Sequence, residues 1–161
     1  MKLSPLDLRH PRLKLSWPSE WQSRVLGPNL TEVTIDRDVS LQIRLMVPPV
    51  VDFVTWIEGA MREHLSPQTK LTRMTLASSE SHDGWPVVFA HYKVDDGAEH
   101  EQRVGAFYRI IYNSAEVVLR LRNGVSWGDR EAELRPLLLS GTVEWPVYEE
   151  HLLWTLLGMK V

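Results

Sequence analysis

The chain of 161 residues contains no cysteine. That excludes a disulfide framework, a thiolate nucleophile and any zinc site built on thiolates, and it fits a reducing compartment. Long apolar runs are missing too. Hydrophobic residues make up 43% of the sequence, yet no stretch of about 18 of them is unbroken, so no membrane span is expected. Pro5, Asp7 and Arg9 interrupt the only N-terminal stretch that could serve as a secretory leader. We expect a soluble, cytoplasmic protein. There is also no block of positive charge. The net charge is −3 and the basic residues are scattered, which argues against a nucleic-acid partner.

Catalytic and metal-binding constellations are equally scarce. His10, His64, His82, His91, His100 and His151 form no pair at i, i+3 or i, i+4, so no metal site and no cofactor are expected. Asp95-Asp96-Gly97 with Glu99 and Glu101 lacks the twelve-residue ligand spacing of a calcium loop; Asp-Gly is a turn signal.

What the sequence has in quantity is strand pattern and tryptophan. Alternating apolar residues predict strands over residues 12–16, 23–26, 31–35, 40–46 and 70–79. A three-strand meander follows over residues 86–95, 101–112 and 116–122, with turns at Asp95-Asp96-Gly97 and Asn113-Ser114. Val88, Ala90, Tyr92 and Val94 share one face of its first strand; Val104, Ala106, Tyr108 and Ile110 share one face of the second. Phe89 and Phe107 sit on the opposite faces, so both sides of the sheet are expected to be covered. Asp52 is placed as N-cap of a helix over residues 53–65, with Phe53, Ile57, Ala60, Met61 and Leu65 on one side. A second helix is predicted over residues 129–139. Pro136 inside it would end it near Arg135 or restart it. Residues 140–145 read as a possible last edge strand. Pro146 opens a final helix to residue 157 whose broad apolar stripe predicts burial against the body on two sides or an oligomer contact, a homodimer through this helix. The whole reads as one α+β domain over residues 1–161, a mainly antiparallel twisted sheet of six to seven strands with helices packed on it.

Gly124-Val125-Ser126-Trp127-Gly128 matches G-x-S-x-G. In a nucleophile elbow Ser126 would be activated by His151, oriented by Glu144, Glu149 or Glu150. The other reading is a strand-to-helix loop with Ser126 as helix cap. The parallel sheet an elbow needs is not evident. Arg103, Arg109, Arg120 and Arg122 lie on adjacent predicted strands and are a candidate anion patch, unless neighbouring acids neutralise them. Of the seven tryptophans, Trp85 and Trp127 flank glycines at element ends. With Tyr92 and Tyr108 they form the candidate partner-binding set.

The order of elements is similar to the PsbP-like superfamily, which includes DcrB-like proteins. An early strand enters an aromatic–proline turn between Leu13 and Trp21. Hairpin strands precede the helix that starts at Phe53. Gly84-Trp85-Pro86 leads into the meander. A helix then enters Leu137-Leu138-Leu139-Ser140. The resemblance covers residues 10–145 and leaves the final helix, 146–157, as an addition. It implies an accessory, adaptor or chaperone module, not an enzyme. One bacterial branch resembles adaptor chaperones that escort apolar segments of type VI secretion effectors. A protein partner is therefore the leading expectation. A small serine hydrolase using Ser126 and a small-ligand carrier with a pocket between sheet and helix are the alternatives. An open apolar groove would favour a peptide, and a closed polar-lined pocket a ligand.

Overall fold

Strand alternation and helix capping organise the chain locally, and two meanders then meet to form one sheet. The computed structural model describes residues 12–45, 52–97, 100–110 and 113–144; the helix expected over 146–157 lies outside them. The strands are β1 (Arg12–Lys14), β2 (Gln22–Gly27), β3 (Leu30–Asp36), β4 (Val39–Arg44), β5 (Lys70–Glu80), β6 (Pro86–Asp95), β7 (His100–Ile110), β8 (Asn113–Leu121) and β9 (Thr142–Glu144). The helices are α1 (Phe53–Met61) and α2 (Trp127–Leu138). Seven strands form one sheet in the order β2-β3-β4-β8-β7-β6-β5, antiparallel at every step. The expected α+β class and strand number are what is found.

The two meanders, β2–β4 and β5–β8, join where β4 pairs with β8, Leu41 opposite Leu119 and Ile43 opposite Val117. One face carries the larger core. Leu41, Val104, Tyr108, Leu119 and Leu121 pack there against Trp127, Leu134 and Leu138 of α2. The opposite face carries Ala90, Tyr92, Phe107 and Val118, covered by Trp56, Ile57 and Met61 of α1. Burial of each large α1 side chain contributes about 1.5–3 kcal/mol.

Four local expectations differ from the structure. The helix starting at Phe53 stops at Met61, four residues short of Leu65. Its terminal carbonyls meet a buried side chain instead of a further turn: Arg103 donates to the carbonyls of both Met61 and Glu63. The second helix continues through Pro136 to Leu138. The hydrogen bond that proline removes is in the last turn, where exposed Ala132 can turn its carbonyl to water. Asn113 and Ser114 belong to a strand, paired with Ile110 and Arg109, because the alternation of β8 extends further back than the turn chemistry implied. Finally, residues 142–144 do not add to the main sheet. They pair antiparallel with β1, Leu13 opposite Val143, and this small ladder closes over the α2 core through Leu13 and Leu15.

Candidate functional site

The sheet face under α1 divides into a polar half and an apolar half. Cross-strand register explains the division, since directly opposed residues project to the same side. Towards β2 the rows are charged: Arg24 opposes Glu32, Glu32 opposes Gln42, and Arg103 opposes Arg120. Towards β5 they are apolar, with Val88 opposite Phe107 and Leu76 opposite Ala90.

Three of the four candidate arginines converge on one carboxylate. Glu101, 8% exposed, receives Arg120 at 2.7 Å, Arg103 at 3.4 Å and Arg122 at 3.8 Å. Three guanidiniums share one acid, so the cluster keeps a positive surplus, most accessible at Arg122. Arg103 itself is 1% exposed. Burial lowers its pKa to about 10, against the pull of Glu101. Its work is to hold the end of α1 through the Met61 and Glu63 carbonyls. Arg44 binds Glu63 beside it, and Trp56 Nε1 donates to Glu116 at 2.6 Å. Burial raises the Glu116 pKa, and the indole hydrogen bond opposes that shift. The crevice among these groups holds only about 10 Å³, roughly one water molecule.

Arg109, the fourth, stands apart. It is exposed, and its Cζ lies 4.7 Å from the centre of the Phe53 ring. There the apolar half opens into a groove of about 160 Å³. Phe53 of α1, Val88 of β6, Phe107 of β7 and Ser78 and Ser79 of β5 line it. Phe53 and Phe107 both meet Trp56 edge-on, with ring centres 5.0 and 5.3 Å away. That aromatic stack sets where α1 lies. Gly105 allows the close approach: a Cβ there would stand 2.7 Å from Phe107 and 2.8 Å from Met61. Beside the groove runs β5, the last strand of the sheet. A bulge between Arg73 and Thr75 leaves Met74 55% exposed.

The aromatic candidates are placed differently from one another. Tyr92 is 1% and Tyr108 0% exposed, so neither ring has surface to offer a partner. Tyr108 donates to the carbonyl of Leu138 at 2.5 Å and accepts from the Gly141 amide. Burial pushes its phenol up to about 12. Trp127 is 5% exposed and packs on Phe89, with ring centres 5.9 Å apart. Trp85 is half-buried against the α2 core, in a loop closed by the Ser81 hydroxyl, which accepts from its amide at 3.0 Å. Phe53 and Val88, which line the groove, were not singled out by sequence reasoning. The signal was present in the apolar face of the first helix, but which strand that face meets is a long-range matter.

Ser126 caps α2. Its backbone is extended, with φ −92° and ψ 138°, and its Oγ accepts from the Gly128 amide at 3.2 Å. The Trp127 amide donates to Gln102. His151, Glu149 and Glu150, the partners an elbow would need, lie outside the described residues; of Glu144 only the backbone pairing is described. Gln102 also meets His91 at 3.0 Å across the strands. Among the described residues no group of three or more His, Asp or Glu is placed to hold a metal, and no helix is long and apolar enough to cross a membrane.

No protein-family model matches the chain, and no curated protein matches it. Solved structures do. Cyanobacterial PsbP from Synechocystis superposes with a TM-score of 0.55 at 12% identity, covering 89% of this chain and 98% of that one. A protein of unknown function from Pseudomonas aeruginosa superposes with a TM-score of 0.48 at 15% identity, over 86% and 99% of the two chains. The chain has a PsbP-like α+β fold, and at such identities the likeness concerns the fold alone.

Proposed function

We propose that this chain is a non-catalytic protein-binding module, an adaptor or chaperone-like holder of an apolar segment of a partner. The observation that carries the reading is the groove between Phe53, Pro86 and Val88, over the buried Phe107: it is open, apolar and flanked by the last strand of the sheet. An open apolar channel beside an edge that no strand among the described residues pairs with suits an extended chain, whose backbone can pair with the edge while its side chains fill the channel. The capping geometry of Ser126 supports a module without a nucleophile. The apolar stripe over 146–157 supports a homodimer contact, and a monomer in sedimentation at micromolar concentration would count against it.

The test is a groove-filling substitution at an exposed position. Ser78→Trp leaves the core untouched and places an indole over the channel. Binding of fluorescein-labelled apolar peptides, read by anisotropy, should fall at least tenfold while the thermal midpoint stays within a few degrees. Equal binding by wild type and variant would defeat the docking reading, as would turnover of a small substrate by a protein that holds no partner.

A further inference from the structure

We propose that Arg109 anchors a carboxylate on the segment the groove takes, so that the partner is an extended peptide with a bulky apolar side chain two positions from an aspartate or glutamate. This rests on the docking reading above and adds its charge specificity.

Arg109 differs from most of the arginines on its side of the sheet; Arg73 lies opposite Tyr92 and interacts with its hydroxyl. Arg24, Arg44, Arg103, Arg120 and Arg122 each reach a glutamate. Arg109 has a ring instead: Phe53 lies under its guanidinium, and among the described residues no carboxylate is within ion-pair distance. The ring contact uses the guanidinium's charge and leaves its N–H donors without an acid among the described residues. Those donors form the rigid fork that matches a carboxylate bidentately. Contact with the ring also limits the rotamers of a long side chain, so less freedom is lost when an acid binds.

The groove beside this fork is apolar and small. Its volume of about 160 Å³ is below the roughly 300–1,000 Å³ of pockets that enclose a whole small molecule. It suits one large side chain. Ser78 and Ser79 at its rim belong to β5, whose outer backbone edge has no partner strand among the described residues. A segment running along that edge would alternate its side chains between the groove and the far side. Its residue two positions from the buried one projects to the same side, towards Arg109, which also lines the groove.

The experiment uses labelled peptide pools in which Phe is followed two positions later by Asp, Asn or Lys (the Phe-Asp, Phe-Asn and Phe-Lys pools), the other positions randomised, titrated against the full chain. The Phe-Asp pool should bind about tenfold more tightly than the Phe-Asn pool, and the preference should shrink as salt rises. Arg109→Gln should abolish the preference, Arg109→Lys should keep part of it, and Arg109→Glu should turn it towards Phe-Lys. Equal binding of the Phe-Asp and Phe-Asn pools, or a preference that survives Arg109→Gln, overturns the anchor. If Ser78→Trp still removes that uncharged binding, the docking reading stands without the anchor. If no pool binds, or Ser78→Trp changes nothing, both fail. Displacement of the peptides by 3-phenylpropionate at the peptides' own affinity would assign the site to a small free acid. A wild-type dimer that Arg109→Glu dissociates would assign it to a second copy. Either result overturns the peptide proposal.

Discussion

Trp56 and Glu116 are joined through the interior: the indole N–H donates to the carboxylate at 2.6 Å, with both side chains buried. The bond ties α1 to the seam of the sheet, because β8 carries Glu116 and pairs with β4. It also confines a charge where little water reaches it. Arg44 offsets part of that cost and Glu63 adds to it.

Glu116 should therefore separate two effects of substitution. Burial raises its pKa in the folded protein, so the folded state binds a proton more readily than the unfolded state does. Its contribution to stability is complete below the ordinary glutamate pKa and is lost as pH rises through the raised value. Glu116→Gln keeps an acceptor for the indole and removes the buried charge. It should be at least as stable as wild type at pH 7, with the advantage disappearing towards pH 4. Glu116→Leu leaves the indole N–H unpaired and should cost about 1–3 kcal/mol. Urea denaturation across pH 4–8 reads both; a Gln variant much weaker than wild type at pH 7 would contradict this.

Arg103 is the buried cation that stops α1. Arg103→Met removes the donors to the Met61 and Glu63 carbonyls and withdraws one cation from Glu101. The expected loss is about 3–5 kcal/mol. Arg103→Lys cannot span all three acceptors and should fall between. Hydrogen exchange should report the loss first in the α1 amides.

Two glycines mark contacts too close for a methyl group. A Cβ at Gly141 would stand 2.7 Å from Leu13 and 2.9 Å from Tyr108, and one at Gly105 would press on Phe107 and Met61. Each alanine substitution should cost about 1–3 kcal/mol by overpacking. Gly105→Ala should also weaken peptide binding, since it displaces α1 beside the groove, whereas Gly141→Ala should not. Thermal midpoints and anisotropy titrations distinguish the two.

Ser126→Ala should lose about 1 kcal/mol, the value of a helix N-cap, with peptide binding unchanged. Hydrolysis of p-nitrophenyl acetate should be the same for both proteins. An activity present in wild type and absent in the variant would restore the nucleophile reading.

Much of the fold was legible because strands announce themselves by period. The first meander strand, Pro86–Asp95, is read to the residue. The alternation of Val104, Ala106 and Tyr108 against Arg103, Gly105 and Phe107 correctly implies two covered faces. Asp52 is legible as a cap from its type and place, and it does accept from the Val54 amide. The element ends were less legible. Arg103 decides where α1 stops from 42 positions away, and no local signal in residues 62–65 reports it. Tyr92 and Tyr108 read as surface aromatics only while the layers above and below them are unknown.

Local chemistry thus dictated the strands, the hairpins, the caps and the need for a cover on each side of the sheet, since those follow from side-chain period and backbone hydrogen bonding among near neighbours. Tertiary structure alone decided which arginines share Glu101, which one is left facing Phe53 at the mouth of a groove, and which tyrosines are sealed inside. Those outcomes depend on the pairing of β4 with β8, which joins Val39 to Leu121, and on where α1 comes to rest, which joins Trp56 to Glu116 across 60 positions; no short-range pattern encodes such contacts.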